Sequence, residues 1–128
     1  MNMDQDNIII ERFESGAIRR KVVPYEAING VPKLYGYEYY EDGNVKYEGI
    51  LQRGGLYEGK YYYPSGKLKF VGRYNEREIN GGYYGPPFPI NGSYYSETGE
   101  LLYQGRFKIK RLGSLGYPKV VFPEGFKL

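Results

Sequence analysis

Between Leu56 and Tyr74 the chain sorts its residues by parity. On one side of a turn at Ser65-Gly66, Tyr57, Gly59, Tyr61 and Tyr63 alternate with Glu58, Lys60 and Tyr62. On the other side, Leu68, Phe70, Gly72 and Tyr74 alternate with Lys67, Lys69, Val71 and Arg73. Alternation with a period of two marks a half-buried strand, so the stretch predicts a β-hairpin with one aromatic face and one charged face. A two-residue turn pairs Tyr63 with Leu68, Tyr61 with Phe70, Gly59 with Gly72 and Tyr57 with Tyr74. Glu58 then faces Arg73 on the charged side. A slip of one residue would scramble this sorting, which supports the register.

The hairpin recurs along the chain. The pattern aromatic-x-x-Gly-x-aliphatic occurs at Phe13–Ile18, Tyr40–Val45 and Tyr63–Leu68. Ser96–Leu101 fits with Ser in place of the aromatic, and Phe122–Lys127 fits with Lys in place of the aliphatic. The turn glycines are Gly16, Gly43, Gly66, Gly99 and Gly125. In three units a glycine lies seven residues before the turn glycine (Gly36, Gly59, Gly92) and another six after it (Gly49, Gly72, Gly105). These pairs face each other across each hairpin. Glycine weakens a strand, so a repeated facing pair needs a reason; neighbouring rings lying flat over bare backbone supply one.

The expected fold is therefore all-β: about five stacked hairpins in an elongated, twisted antiparallel sheet, a meander or solenoid. Single hairpins are marginal in water, so successive units share one aromatic face. The units fall near 9–22, 34–51, 57–74, 90–107 and 118–128 of one domain spanning 1–128. Unit one carries Ile9 and Val22 in place of the glycine pair, and unit five carries Pro118, as expected of terminal caps. An irregular, Gly- and Pro-rich insert occupies 75–89, and no segment reads as a helix.

Composition narrows the chemistry. The 128 residues hold 17 Tyr, 6 Phe, 19 Gly and 8 Pro, with no Cys, His or Trp. Without Cys there is no disulfide, thiol nucleophile or thiolate metal site. Without His the side chain best suited to proton transfer near neutrality is missing. The expectation is a non-enzymatic protein without cofactor or metal. A net charge of +3, well mixed along the chain, is no nucleic-acid footprint by itself. No apolar run approaches the ~20 residues of a membrane span. The acidic "MNMDQDNIII" start is not a secretory signal, which points to the cytoplasm.

The units "GYEYYEDGNVKYEGI" and "GKYYYPSGKLKFVGRY" resemble the variant MORN repeat of bacterial YwqK-like antitoxin proteins. The resemblance covers roughly Phe13 to Phe107, with a weaker extension to Gly125. It implies a hairpin-repeat protein of a bacterium or its phage, without catalytic residues. For some relatives it implies neutralisation of a toxin by direct binding. The uneven unit spacing and the Pro-rich insert depart from that pattern.

Four features compete for function. The residue four before each turn glycine points away from the aromatic face: Arg12, Tyr39, Tyr62, Tyr95 and Val121. Under a two-residue turn its cross-strand partners are Arg19, Lys46, Lys69, Leu102 and Leu128. Tyr35 and Tyr37 share that side. Tyrosines in a row beside lysines suit a protein-binding face. The alternative is that they only cover their neighbours. The insert, with Tyr84 and Phe88, is a second candidate, since exposed loops often carry recognition. Glu11 and Glu38 point inward, but Glu11 faces Arg20 and Glu38 faces Tyr47, so each has a structural partner. The tract Phe107–Gly113 carries three charges and reads as a solvated edge strand.

The partner-binding set is thus Tyr37, Tyr39, Lys46, Tyr62, Lys69, Tyr95, Tyr84 and Phe88. The partner is another protein, a toxin or a nuclease effector. The function is that of an antitoxin or immunity protein, or of a phage inhibitor of a host defence nuclease. A lipid- or nucleic-acid-associating scaffold is the reading from a different class. A homodimer through an open sheet edge is a further expectation.

Overall fold

The computed structural model describes residues 7–75, 88–111 and 118–121, with side chains described for 7–75 and 88–107. Eight strands form one antiparallel sheet in strict chain order: β1 (Ile9–Arg12), β2 (Ile18–Ile28), β3 (Val31–Tyr39), β4 (Val45–Gln52), β5 (Gly55–Tyr62), β6 (Leu68–Tyr74), β7 (Pro89–Tyr95) and β8 (Leu101–Arg106). β9 (Lys108–Arg111) and β10 (Pro118–Val121) pair separately in a two-stranded ladder. No α-helix occurs among the described residues. The chain is all-β, an open meander of hairpins.

The hairpins β1–β2, β3–β4, β5–β6 and β7–β8 fall on the first four sequence units. The fifth turn, at Glu124-Gly125, lies outside the described residues. Unit one is joined to unit two, and unit two to unit three, by turns that the repeat pattern did not include. Asn29-Gly30, with φ of 53° and 77°, closes β2 onto β3 as a two-residue hairpin turn. Asn-Gly is the strongest sequence signal for such a turn, because both central positions need positive φ.

The expected two-residue turns at the repeat glycines are corrected. In unit three, Gly66 N donates to Tyr63 O (2.9 Å) and Tyr63 N donates to Lys67 O (2.8 Å). The loop is Pro64-Ser65-Gly66, with Gly66 at φ 93° returning the chain, the three-residue hairpin that ends in a glycine bulge. Tyr62, not Tyr63, therefore faces Leu68. A second irregularity follows at once, since Tyr61 faces Phe70 and Lys69 is left over. The longer loop and the bulge cancel, so the inner register comes out as expected: Glu58 faces Arg73 and Gly59 faces Gly72. The same shift recurs in the other three units, leaving over Arg19, Lys46 and Leu102.

Glycines line up across the sheet as Gly36, Gly49, Gly59, Gly72, Gly92 and Gly105, beginning beside Val22. Ring packing accounts for part of this row. A Cβ on Gly92 would lie 2.8 Å from Phe70 Cζ. The stronger constraint is backbone. Gly59 has φ 150°, and a Cβ there would lie 2.2 Å from the Glu48 carbonyl oxygen on the next strand. Only glycine combines that φ with so close a strand approach.

The core lies on the expected aromatic face. Val22, Leu51, Leu56 and Phe70 are fully buried, joined by Tyr74, Tyr94 and Phe107, with Leu34, Tyr47, Tyr61 and Tyr103 packed against them. Phe70 is its hub, with ring centroids of Tyr94 and Tyr74 at 4.9 and 5.2 Å. Such tilted and edge-on pairs suit the aromatic quadrupole. Tyr57 departs from expectation. A bulge sets Leu56 opposite Leu51, so Tyr57 is the extra residue of the β4–β5 ladder. It is buried outside this cluster, with Lys33 Nζ 4.9 Å from its ring.

Candidate functional site

The turn-proximal bulges decide what the two sheet faces present. Opposite Tyr39, Tyr62 and Tyr95 stand Val45, Leu68 and Leu101. The expectation that Lys46 and Lys69 stand beside those tyrosines is corrected. Lys69 Nζ lies over the rings of Tyr61 and Tyr63, at 4.7 and 5.3 Å, and Lys46 Nζ lies over Tyr40 and Tyr47, at 5.7 and 5.3 Å. Tyr47 and Tyr61 belong to the aromatic face, so both lysines lie on that face. The physical reason is the extra residue: it breaks strict alternation and turns these two side chains to the ring side.

The outward row is more apolar than expected. In lateral order it runs Tyr39, Val45, Tyr62, Leu68, Tyr95 and Leu101 across six adjacent strands. Five strand spacings amount to about 24 Å. Leu101 is 52% exposed and Tyr37, one ladder position below the row, is 36% exposed. The Tyr37 and Tyr39 rings stack at 6.1 Å. Tyr62 Oη donates to Glu48 Oε1 at 2.8 Å, and Lys60 Nζ lies 3.8 Å from the same oxygen. Partial burial first, then the Glu48 bond and charge, push the Tyr62 phenol up to about 12. Burial and the Tyr37 phenol push Tyr39 up as well. Both are therefore neutral donors throughout the physiological range.

A shallow hollow of about 330 Å³ adjoins this row. Tyr35, Tyr37, Glu48 and Lys60 line it, and Gly36, Gly49 and Gly59 form its floor. The hollow lies between two tyrosines and the Glu48–Lys60 ion pair.

The remaining sequence candidates are placed as follows. Tyr84 lies outside the described residues. Phe88 closes the base of the insert: its N–H donates to Asn75 Oδ1 (2.7 Å), and Asn75 N donates to its carbonyl (2.9 Å). The inward carboxylates are structural. Arg20 Nη2 lies 3.0 Å from Glu38 Oε2, and Arg20 and Arg19 both approach Glu11, at 3.7 and 3.5 Å. No cluster of three or more metal-ligating side chains exists among the described residues. No helix there is long and apolar enough to cross a membrane.

Sequence reasoning missed Gln52. It is 2% exposed, and its Nε2 donates to Leu56 O (3.2 Å) and Asn75 O (2.8 Å). A polar residue ending an apolar strand was its only signal, and that also describes an ordinary turn. No protein-family model matches the chain, and no curated protein or solved structure matches it significantly.

Proposed function

We propose that this protein acts by binding another protein through the outward face at the turn end of the sheet. The observation that carries the reading is the lateral row Tyr39, Val45, Tyr62, Leu68, Tyr95 and Leu101, with Tyr37 and the glycine-floored hollow beside it. The row supplies rigid aromatic anchors flanked by aliphatic side chains, on a face turned away from the core. Tyrosine is enriched at binding hot spots because it buries a large area at small entropic cost. A contact of ~800 Å² per partner is the ordinary size for a specific complex.

The biological form proposed is an antitoxin or immunity protein that masks a toxin in the cytoplasm. The MORN-like repeat units support it. Inhibition of a host defence nuclease by a phage protein would use the same contact. Affinity capture from the native host or its phage, followed by mass spectrometry, identifies the partner. Tyr62→Ala and Leu101→Ser should each weaken that complex about tenfold or more while the fold persists. Unchanged affinity in both variants rejects this face.

A further inference from the structure

The aromatic face carries a second set of groups that the outward row does not use. Three units turn their extra residue to that side: Arg19, Lys46 and Lys69. In the first unit the cations are matched by acids. Arg19 and Arg20 share Glu11, and Arg20 also holds Glu38. In the next two units they are not. Among the described residues, Lys46 and Lys69 meet only tyrosine rings: Tyr40 and Tyr47 for the first, Tyr61 and Tyr63 for the second. Among the described residues, no carboxylate lies within 4.0 Å of either ammonium.

The rings hold the two side chains in place, with no ion pair at contact distance for either ammonium among the described residues. A cation over a phenol face loses flexibility but keeps N–H donors free for an anion. Much of the entropic cost of fixing a lysine is thus met before any partner arrives. β4 and β6 are two strand spacings apart, so the two lysines leave the sheet about 9.6 Å apart along the repeat axis. Two turns of an α-helix advance about 10.8 Å. A helix lying across the strands with acids two turns apart brings one carboxylate to each lysine. Its apolar side would meet the rims of Tyr40 and Tyr63.

We infer that the strip Tyr40, Lys46, Tyr61, Tyr63 and Lys69 docks an acidic helix of a partner protein. The inference concerns the opposite face from the outward row and stands or falls separately from it. Nucleic acid is the poorer fit, because two cations release few counterions.

The probe is a labelled synthetic helix with Glu at every seventh position and Leu between, titrated into the full chain by fluorescence anisotropy. Saturable binding is expected, weakened by salt. Lys46→Gln/Lys69→Gln should lose about tenfold in affinity or more, with Lys46→Arg/Lys69→Arg close to the native protein. Circular dichroism and the urea midpoint confirm that the Gln variant is folded; should it not be, Lys69→Gln alone serves. Absence of binding, or equal binding to the Gln variant, overturns the inference. So does tighter binding of a single-stranded oligonucleotide or of phosphatidylserine vesicles than of the acidic helix. Loss of the captured partner on changing Tyr62 and Leu101, with helix binding intact, separates the two faces.

Discussion

The hydroxyl of Tyr63 donates to the backbone carbonyl of Tyr95, 2.7 Å away in the next unit. One unit earlier, the hydroxyl of Tyr40 donates to the carbonyl of Tyr62, also at 2.7 Å. The tyrosine that opens the turn of units two and three is therefore a latch onto the following hairpin. Its acceptor is the backbone of the same tyrosine that stands in the outward row. One residue position thus holds the units together through its carbonyl and presents a ring to the other side. A third link, Asn44 Nδ2 to Pro64 O at 2.8 Å, ties adjacent turns directly.

Removing only the hydroxyl tests the latch. Tyr63→Phe keeps the ring beneath Lys69 and should cost about 1 kcal/mol, the net value of a typical hydrogen bond. Tyr40→Phe should cost a similar amount. The two should add, because they sit in different units with different acceptors. Phe13 occupies the same position in unit one without a hydroxyl. Phe13→Tyr should gain up to about 1 kcal/mol by reaching the Tyr39 carbonyl. Urea titration at equilibrium measures all three.

Two glycines of one hairpin should respond very differently to alanine. At Gly59 a Cβ would lie 2.2 Å from the Glu48 carbonyl, on a backbone held at φ 150°. Strain and steric overlap add, so Gly59→Ala should cost more than about 3 kcal/mol and push β4 and β5 apart. At Gly66 nothing lies within 4 Å, and only the positive φ resists. Gly66→Ala should cost about 1–2 kcal/mol. Equal costs would contradict the close strand approach.

Gln52 clasps the β4–β5 turn to the end of β6 from a buried position. Gln52→Leu keeps the burial and strips donors from two carbonyls. Unpaired buried acceptors carry the penalty, so the loss should be about 1–3 kcal/mol. Amide hydrogen exchange should rise at Leu56 and Asn75 and stay unchanged at β1.

Stability should fall on the alkaline side. Burial raises the phenols of Tyr40, Tyr47, Tyr74 and Tyr94, and burial with Glu48 raises Tyr62 to about 12. Their unfolded value is about 10. Below that pH, folded and unfolded chains both hold these protons, and the contribution is fully present. As pH climbs from about 10 towards 12, the unfolded chain releases protons that the folded chain keeps, so unfolding becomes easier. The urea midpoint should drop steeply across that window. Tyrosinate absorbance should lag behind that of the unfolded chain; coincident titration curves would refute the burial argument.

Much of this structure was legible in the residues. Alternation and the spaced glycines determined the strands, the inner register and the core face, because a period of two has only one way to bury Tyr61, Phe70 and Tyr94 together. Glu11, Arg20 and the inward Glu38 followed from the same counting. What the pattern could not reveal was set at the turns. Pro64-Ser65-Gly66 form a three-residue loop, and a compensating bulge at Lys69 hides the difference from everything further down the hairpin. Turn length depends on backbone hydrogen bonds that close only when two strands meet. That one local choice moved Lys46 and Lys69 to the ring side and put Val45, Leu68 and Leu101 beside the outward tyrosines. By itself, then, the sequence determined a hairpin repeat with one aromatic face. Tertiary pairing decided which side chains each face offers a partner, because a single unpaired residue reverses a side chain without disturbing the core.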